Sequence, residues 1–208
     1  MQWQFWIIQT LNSVAFGGLL FLLSSGFSLI FGLMRIPNLA HGAFFMLGAY
    51  FGYTLLQLNL HFWPAALLGG LGVGLLGILM ERTRLGAMIR AGVDDTEMAR
   101  GVGIPVSRLF TTVFLLGATL AGVGGVLGGP ILNAYPGLDT DMLPLALIVV
   151  ILGGAGSLLG AFVGSFIVGF IYNFGIALVP DLAYFVLFLP MVLVLVFLPQ
   201  GLFGRVQI

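Results

Sequence analysis

The sequence predicts an all-α, polytopic membrane bundle with about seven spans, and three observations predict it. Of 208 residues, 60% are hydrophobic and 7% charged, against about 25% charged in a soluble domain. Charge-free stretches near the roughly 20 residues needed to cross a bilayer recur along the chain. All seven basic residues are Arg, and five of them fall in one segment, residues 81–108.

The clearest expected spans are residues 5–33, 62–80, 109–132, 158–179 and 182–198. The first is too long for the apolar core of a signal peptide and has no basic side chain before it, so it reads as a span. Residues 41–58 are shorter but carry no Asp, Glu, Lys or Arg. Residues 143–152 are the weakest case, because ten helical residues rise only about 15 Å against a core of roughly 30 Å. This element reads as a short or broken helix, followed by a glycine-rich turn at 153–157. Residues 133–142 read as a loop carrying Asp139 and Asp141.

Arginine placement orients the chain. With residues 81–108 in the cytoplasm, seven spans put every Arg on that side, the N-terminus outside and the C-terminus inside. The link 34–40, with Arg35, and His41 then lie at the cytoplasmic start of the second span. A single membrane domain, residues 1–208, contains residues 81–108 as its one sizeable polar loop.

Glycine is abundant, with 32 copies. Gly48 and Gly52, Gly70 and Gly74, Gly160 and Gly164, and Gly117 with Ala121 and Gly125 are spaced four apart. Small residues at this spacing line one helix face and let another backbone approach.

Within the polar loop, Asp94 and Glu97 have the spacing of a capping box, and both favour a helix N-terminus. Gly101 and Gly103 close the helix, and Pro105 discourages its continuation. Ser107 is placed to cap the next span. Met98 and Val102, four apart, are the apolar side chains of this short helix. It rests either on its own bundle or on a cytoplasmic partner, since so short a helix is marginal in water.

The chemistry of the chain excludes several classes. Without cysteine there are no disulfides, thiolate nucleophiles or Cys-based zinc sites. There is no lysine and no Gly-Lys-Ser/Thr phosphate loop, so the chain is not its own ATPase. No Asp, Glu, Lys or Arg lies inside an expected span, which argues against a proton relay. His41, in Pro37-Asn38-Leu39-Ala40-His41-Gly42, reads as a satisfied histidine at a helix start rather than a catalyst. His61 is remote from it in sequence and forms no metalloprotease motif with it. Neither a cofactor nor nucleic acid is expected, and the chain is not expected to be an enzyme.

The motif Ile36-Pro-Asn-Leu-Ala-His41-Gly42, followed by Met46-Leu-Gly48-Ala49-Tyr50, resembles the N-terminal signature of branched-chain amino acid ABC transporter permeases. The stretch from Arg90 through Asp94, Glu97, Met98, Arg100 and Val102 to Ile104 is similar to their coupling region. Leu120-Ala-Gly-Val-Gly-Gly-Val-Leu127 and Leu152-Gly-Gly-Ala-Gly-Ser157-Leu-Leu-Gly160-Ala161 resemble two further signatures.

This resemblance implies a multi-pass permease of the bacterial inner membrane without a catalytic site. It implies pairing with a homologous second permease, two cytoplasmic ABC ATPase subunits and an extracytoplasmic substrate-binding protein. The implied cargo is an amino acid, typically leucine, isoleucine or valine, and its charged ends would meet backbone dipoles or hydroxyls such as Ser24, Ser25, Ser28 and Thr54. In one respect the chain departs from the family. Ile78-Leu-Met-Glu81-Arg82 meets Thr83-Arg84-Leu-Gly86 directly, where relatives place about 80 further residues with more spans. The alternatives are an ATPase-independent transporter or channel, and a shortened, non-transporting subunit.

Overall fold

A computed structural model describes residues 2–34, 37–59 and 106–204, together with 61, 62, 64, 68 and 72. The described residues form six α-helices: α1 (Gln2–Met34), α2 (His41–Gln57), α3 (Val106–Leu132), α4 (Leu138–Gly153), α5 (Leu158–Leu178) and α6 (Ala183–Phe197). A short 3-10 turn, Pro180–Leu182, joins α5 to α6. Among the described residues, three stretches are long and apolar enough to cross a membrane, Trp3–Gly32, Phe110–Leu132 and Leu158–Leu178. The chain is therefore an all-α polytopic membrane bundle. Of the expected span 62–80, only residues 62, 64, 68 and 72 are described, and all four are helical.

Glycine lets these helices meet backbone to backbone. A Cβ at Gly48 would strike the Gly122 carbonyl, and one at Gly52 would meet Val126. Both pairs ascend together, so α2 and α3 run in the same direction. A Cβ at Gly26 would strike Gly117, and one at Gly124 would meet Leu22, so α1 and α3 run in opposite directions. Gly17 meets Phe166 and Gly169 meets Ser13, so α5 opposes α1. Gly160 abuts Gly153 and Gly164 abuts Val149, so α4 opposes α5. The expected small-residue faces at Gly48/Gly52, Gly160/Gly164 and Gly117/Gly125 are thus helix contacts. Gly70 and Gly74 lie outside the described residues. Phe27, Phe45, Leu20, Leu23, Leu138 and Val149 are among the largest fully buried side chains of the core.

Two expectations need correction. Helix α4 has 16 residues rather than ten, because it begins at Leu138 and carries Pro144 within it. Gly137, at φ 102°, turns the chain into the helix, a backbone angle that glycine adopts without steric cost. Thr140 Oγ donates back to the Gly137 carbonyl at 2.6 Å. Pro144 costs the helix one hydrogen bond without ending it. Asp139 and Asp141 therefore sit in the first helical turn, where the positive helix end favours them, and not in a loop. The second correction concerns Ser107. It lies inside α3, which is already helical at Val106, and so does not cap it.

Candidate functional site

The residues of the Pro37–Gly42 motif form one junction. Pro37 fixes its own φ and disfavours helix before it. Asn38 then folds the chain back, with its Oδ1 accepting from the Ala40 N–H at 3.1 Å and its carbonyl from the His41 N–H at 3.0 Å. Helix α2 begins there with no side-chain cap. His41, its first residue, is fully buried. Nε2 lies 3.0 Å from the Leu23 carbonyl of α1, and since a carbonyl only accepts, Nε2 carries the proton. The ring packs 5.4 Å from Phe27 and edge-on to Phe44 at 6.2 Å. Gly42 has no room for a Cβ, which would meet the Asp139 carbonyl and Leu143 of α4. One motif thus ties α2 to both α1 and α4.

The expectation of a satisfied histidine holds for one ring nitrogen only. Among the described residues, His41 Nδ1 and Ser24 Oγ are buried side-chain polar atoms with no hydrogen-bond partner. The other expected hydroxyls are engaged in the structure itself. Ser25 donates to the Leu22 carbonyl at 3.0 Å and Thr54 to the Tyr50 carbonyl at 2.9 Å. Ser28 Oγ accepts from the Gly156 N–H at 3.1 Å.

The junction meets α1 well before its C-terminal end. Leu23 is eleven residues from the Met34 end of α1, roughly 16 Å at 1.5 Å per residue. Its neighbours Leu22 and Phe21 meet Gly124 of α3 and Phe162 of α5. The Leu23 level therefore lies inside the apolar stretches of all three long helices. His41, the first residue of α2 as expected, reaches α1 at this level. Composition counts apolar residues but does not report where a helix starts relative to its neighbours.

Two other features complete the picture. The turn after α4 is clasped from both sides: Gly156 abuts Gly32 of α1, while Leu202 and Phe203 donate backbone hydrogen bonds to Leu152 and Gly153 at 2.8 and 2.9 Å. Ser157 caps α5 through the Gly160 N–H at 3.0 Å. At the opposite end, a cavity of about 530 Å³ opens between the C-terminal halves of α2 and α3, lined by Tyr50, Tyr53, Val126, Pro130 and Asn133 among others. The glycine signatures pointed to the turn. Ser24 was one of four candidate hydroxyls that the sequence did not tell apart, and the cavity, a product of packing, had no sequence signal. The expected coupling residues Asp94, Glu97, Met98, Arg100 and Val102 lie outside the described residues. Among the described residues there is no group of three or more His, Cys, Asp or Glu side chains able to hold a metal.

Comparison with known proteins adds a further line. Residues 9–81 and 75–195 match the family described as "Branched-chain amino acid transport system / permease component". The high-affinity branched-chain amino acid transport system permease protein LivH of Escherichia coli (strain K12) is 34% identical over 137 residues, which cover 64% of this chain and 44% of LivH. The corresponding permease BraD of Pseudomonas aeruginosa matches with the same identity and coverage. The autoinducer 2 import system permease protein LsrC of Klebsiella pneumoniae is 34% identical over 97 residues, 43% of this chain and 28% of LsrC. The matched part thus spans less than half the length of these curated relatives. No solved structure matches.

Proposed function

The chain belongs to the family of branched-chain amino acid transport permeases, and from that premise we propose that it is the membrane-spanning subunit of an ATP-driven amino acid importer. The family match, running from residue 9 to residue 195, is the observation that carries this reading. The cargo is a branched-chain amino acid. The subunit pairs with a homologous permease, receives its cargo from an extracytoplasmic binding protein and is driven by cytoplasmic ABC ATPases. It lies in the bacterial inner membrane with its N-terminus outside and its C-terminus in the cytoplasm.

Residues 94–103 are the coupling element in this reading. Asp94 and Glu97 cap a short helix, which contributes about 1 kcal/mol. Burying Met98 and Val102 in a groove of the ATPase supplies roughly 1.5–3 kcal/mol each, enough to order a helix that water alone does not sustain. Arg90 and Arg100 pair with acids at the rim and set register more than affinity. Ile104 to Arg108 link this element directly to the apolar part of α3.

A second reading has its own support. The chain aligns with only 44% of LivH, which fits a subunit that occupies the membrane without coupling to an ATPase. ATP hydrolysis by the assembled complex separates the two. The importer reading expects hydrolysis to rise when the binding protein is loaded with leucine. Hydrolysis that ignores the loaded binding protein, or an ATPase that never associates, rejects it.

A further inference from the structure

Helices α1 and α5 pack antiparallel, in a register fixed by Gly17 with Phe166, Ser13 with Gly169 and Gln9 with Asn173. Helix α5 has 21 residues, about 31 Å at 1.5 Å per residue, and the hydrocarbon core of a bilayer is roughly 30 Å thick. Trp6 stacks on Phe174 at 5.8 Å, one turn short of Leu178, where α5 ends. Trp6 is therefore level with one end of this span, and Trp3 lies about 4.5 Å further out.

The outward side of the pair changes its chemistry along its length. Phe162, Phe166, Phe170 and Phe174 recur at every fourth residue, and their rings pack in pairs. Beside them Trp3, Ile7, Leu11 and Val14 of α1 are exposed, Trp3 to 82%. Nothing lies within 4 Å of a Cβ built at Gly18, on the same side. Polar side chains are satisfied within the pair or turned away from this face. Thr10 Oγ donates to the Trp6 carbonyl at 2.7 Å. Gln9 Nε2 donates to the Asn173 carbonyl at 2.5 Å, and Asn173 Nδ2 to the Gly169 carbonyl at 3.0 Å. Asn12 follows Thr10 by two residues, so it lies on the other side of α1. Hydrocarbon tolerates such a face, because no polar group on it needs a partner from outside. The indole N–H groups, which do seek a partner, occur only at its end, on Trp3 and Trp6.

We propose that the α1–α5 face is a lipid contact, with the rings of Trp3 and Trp6 among phospholipid head groups and Ile7, Leu11, Val14 and Phe162 against acyl chains. Amphipathic aromatic rings sit at head-group level at membrane–water interfaces, and here they hold α1 at a fixed depth. The importer reading is not needed for this assignment. Its consequence for that reading is that a second permease subunit docks on a different face of the chain.

The chain has three tryptophans, so replacing Trp63 and either Trp3 or Trp6 by Phe leaves a single reporter. A further variant replaces all three by Phe and carries Val14→Trp, eleven residues beyond Trp3 and thus about 16 Å deeper along the helix. The full chain is reconstituted in vesicles of phosphatidylcholine brominated either near the head-group end or near the methyl end of its acyl chains. The expected result is a ratio of shallow to deep quenching above one for Trp3 and Trp6 and below one for Val14→Trp. The same ratio at positions 3 and 14 overturns the proposal, since the face then has no fixed depth in the bilayer. Loss of quenching by both lipids at position 14 overturns it too, and makes the face a protein interface. If Val14→Trp does not fold, the two single-tryptophan variants still decide, because they change only aromatic rings for aromatic rings. Deep bromines that quench Trp3 and Trp6 as strongly as shallow ones overturn the proposal by themselves.

Discussion

Changing Gly125 to Ala isolates the contact between α2 and α3. A Cβ at Gly125 meets the Phe45 carbonyl and the Ala49 amide, both backbone atoms that no rotamer change moves. The two helices must therefore separate locally. Overpacking of this kind costs about 1–3 kcal/mol, and the gap it opens weakens neighbouring contacts such as Gly48 with Gly122 and Gly52 with Val126. Against this stands a gain of about 0.5–1 kcal/mol from replacing a helical glycine by alanine. Gly18 supplies the internal reference, because nothing lies within 4 Å of a Cβ built there. Gly18→Ala takes the gain without the cost. The two variants should differ by about 2 kcal/mol, close to thirtyfold in the folding equilibrium. Reversible unfolding in mixed detergent–SDS micelles, followed by circular dichroism, measures it. Equal stability of the two variants would refute the glycine-mediated packing described here.

His41→Ala removes both a buried ring and the hydrogen bond to Leu23, so the same assay should show a loss of about 2–4 kcal/mol. Ser28→Ala strips the Gly156 N–H of its partner at the clasped turn and should cost about 1 kcal/mol, whereas Ser25→Ala, which loses only a bond within its own helix, should cost less. Met98→Asp or Val102→Asp should abolish co-purification of the ATPase while membrane insertion persists, since docking would bury an unpaired carboxylate; recovery of the ATPase at wild-type levels with both variants removes residues 94–103 from the interface. Asn133→Cys should react with an impermeant reagent from outside and Asp95→Cys only from the cytoplasm; the reverse pattern inverts the topology.

The spans were legible wherever the physics is local. Runs of apolar residues placed α1, α3, α5 and α6 to within a few residues, because length and hydropathy alone decide whether a helix fits a bilayer. The glycine spacing was legible for the same reason, as Gly48/Gly52 and Gly160/Gly164 mark helix faces whatever the partner. Helix starts were harder. Residues 143–152 read as a short or broken helix after a loop, yet α4 runs through Pro144 from a start at Gly137 and Thr140. Ser107 has the chemistry of a cap and lies within a helix instead. The junction at Pro37–Gly42 was recognisable as a motif, but its partner was not, since His41 meets Leu23 across eighteen residues of sequence. Ser24 carried no signal of its own. Three neighbouring serines look alike in sequence, and only packing leaves one of them unpartnered.

Uptake into proteoliposomes tests the central claim most directly. The chain is reconstituted with its permease partner, its ATPases and the binding protein, and radiolabelled leucine is supplied from outside. The account predicts accumulation that requires ATP on the ATPase side, requires the binding protein and persists when proton and sodium gradients are collapsed. Accumulation that continues without ATP, or that follows either ion gradient, would contradict it.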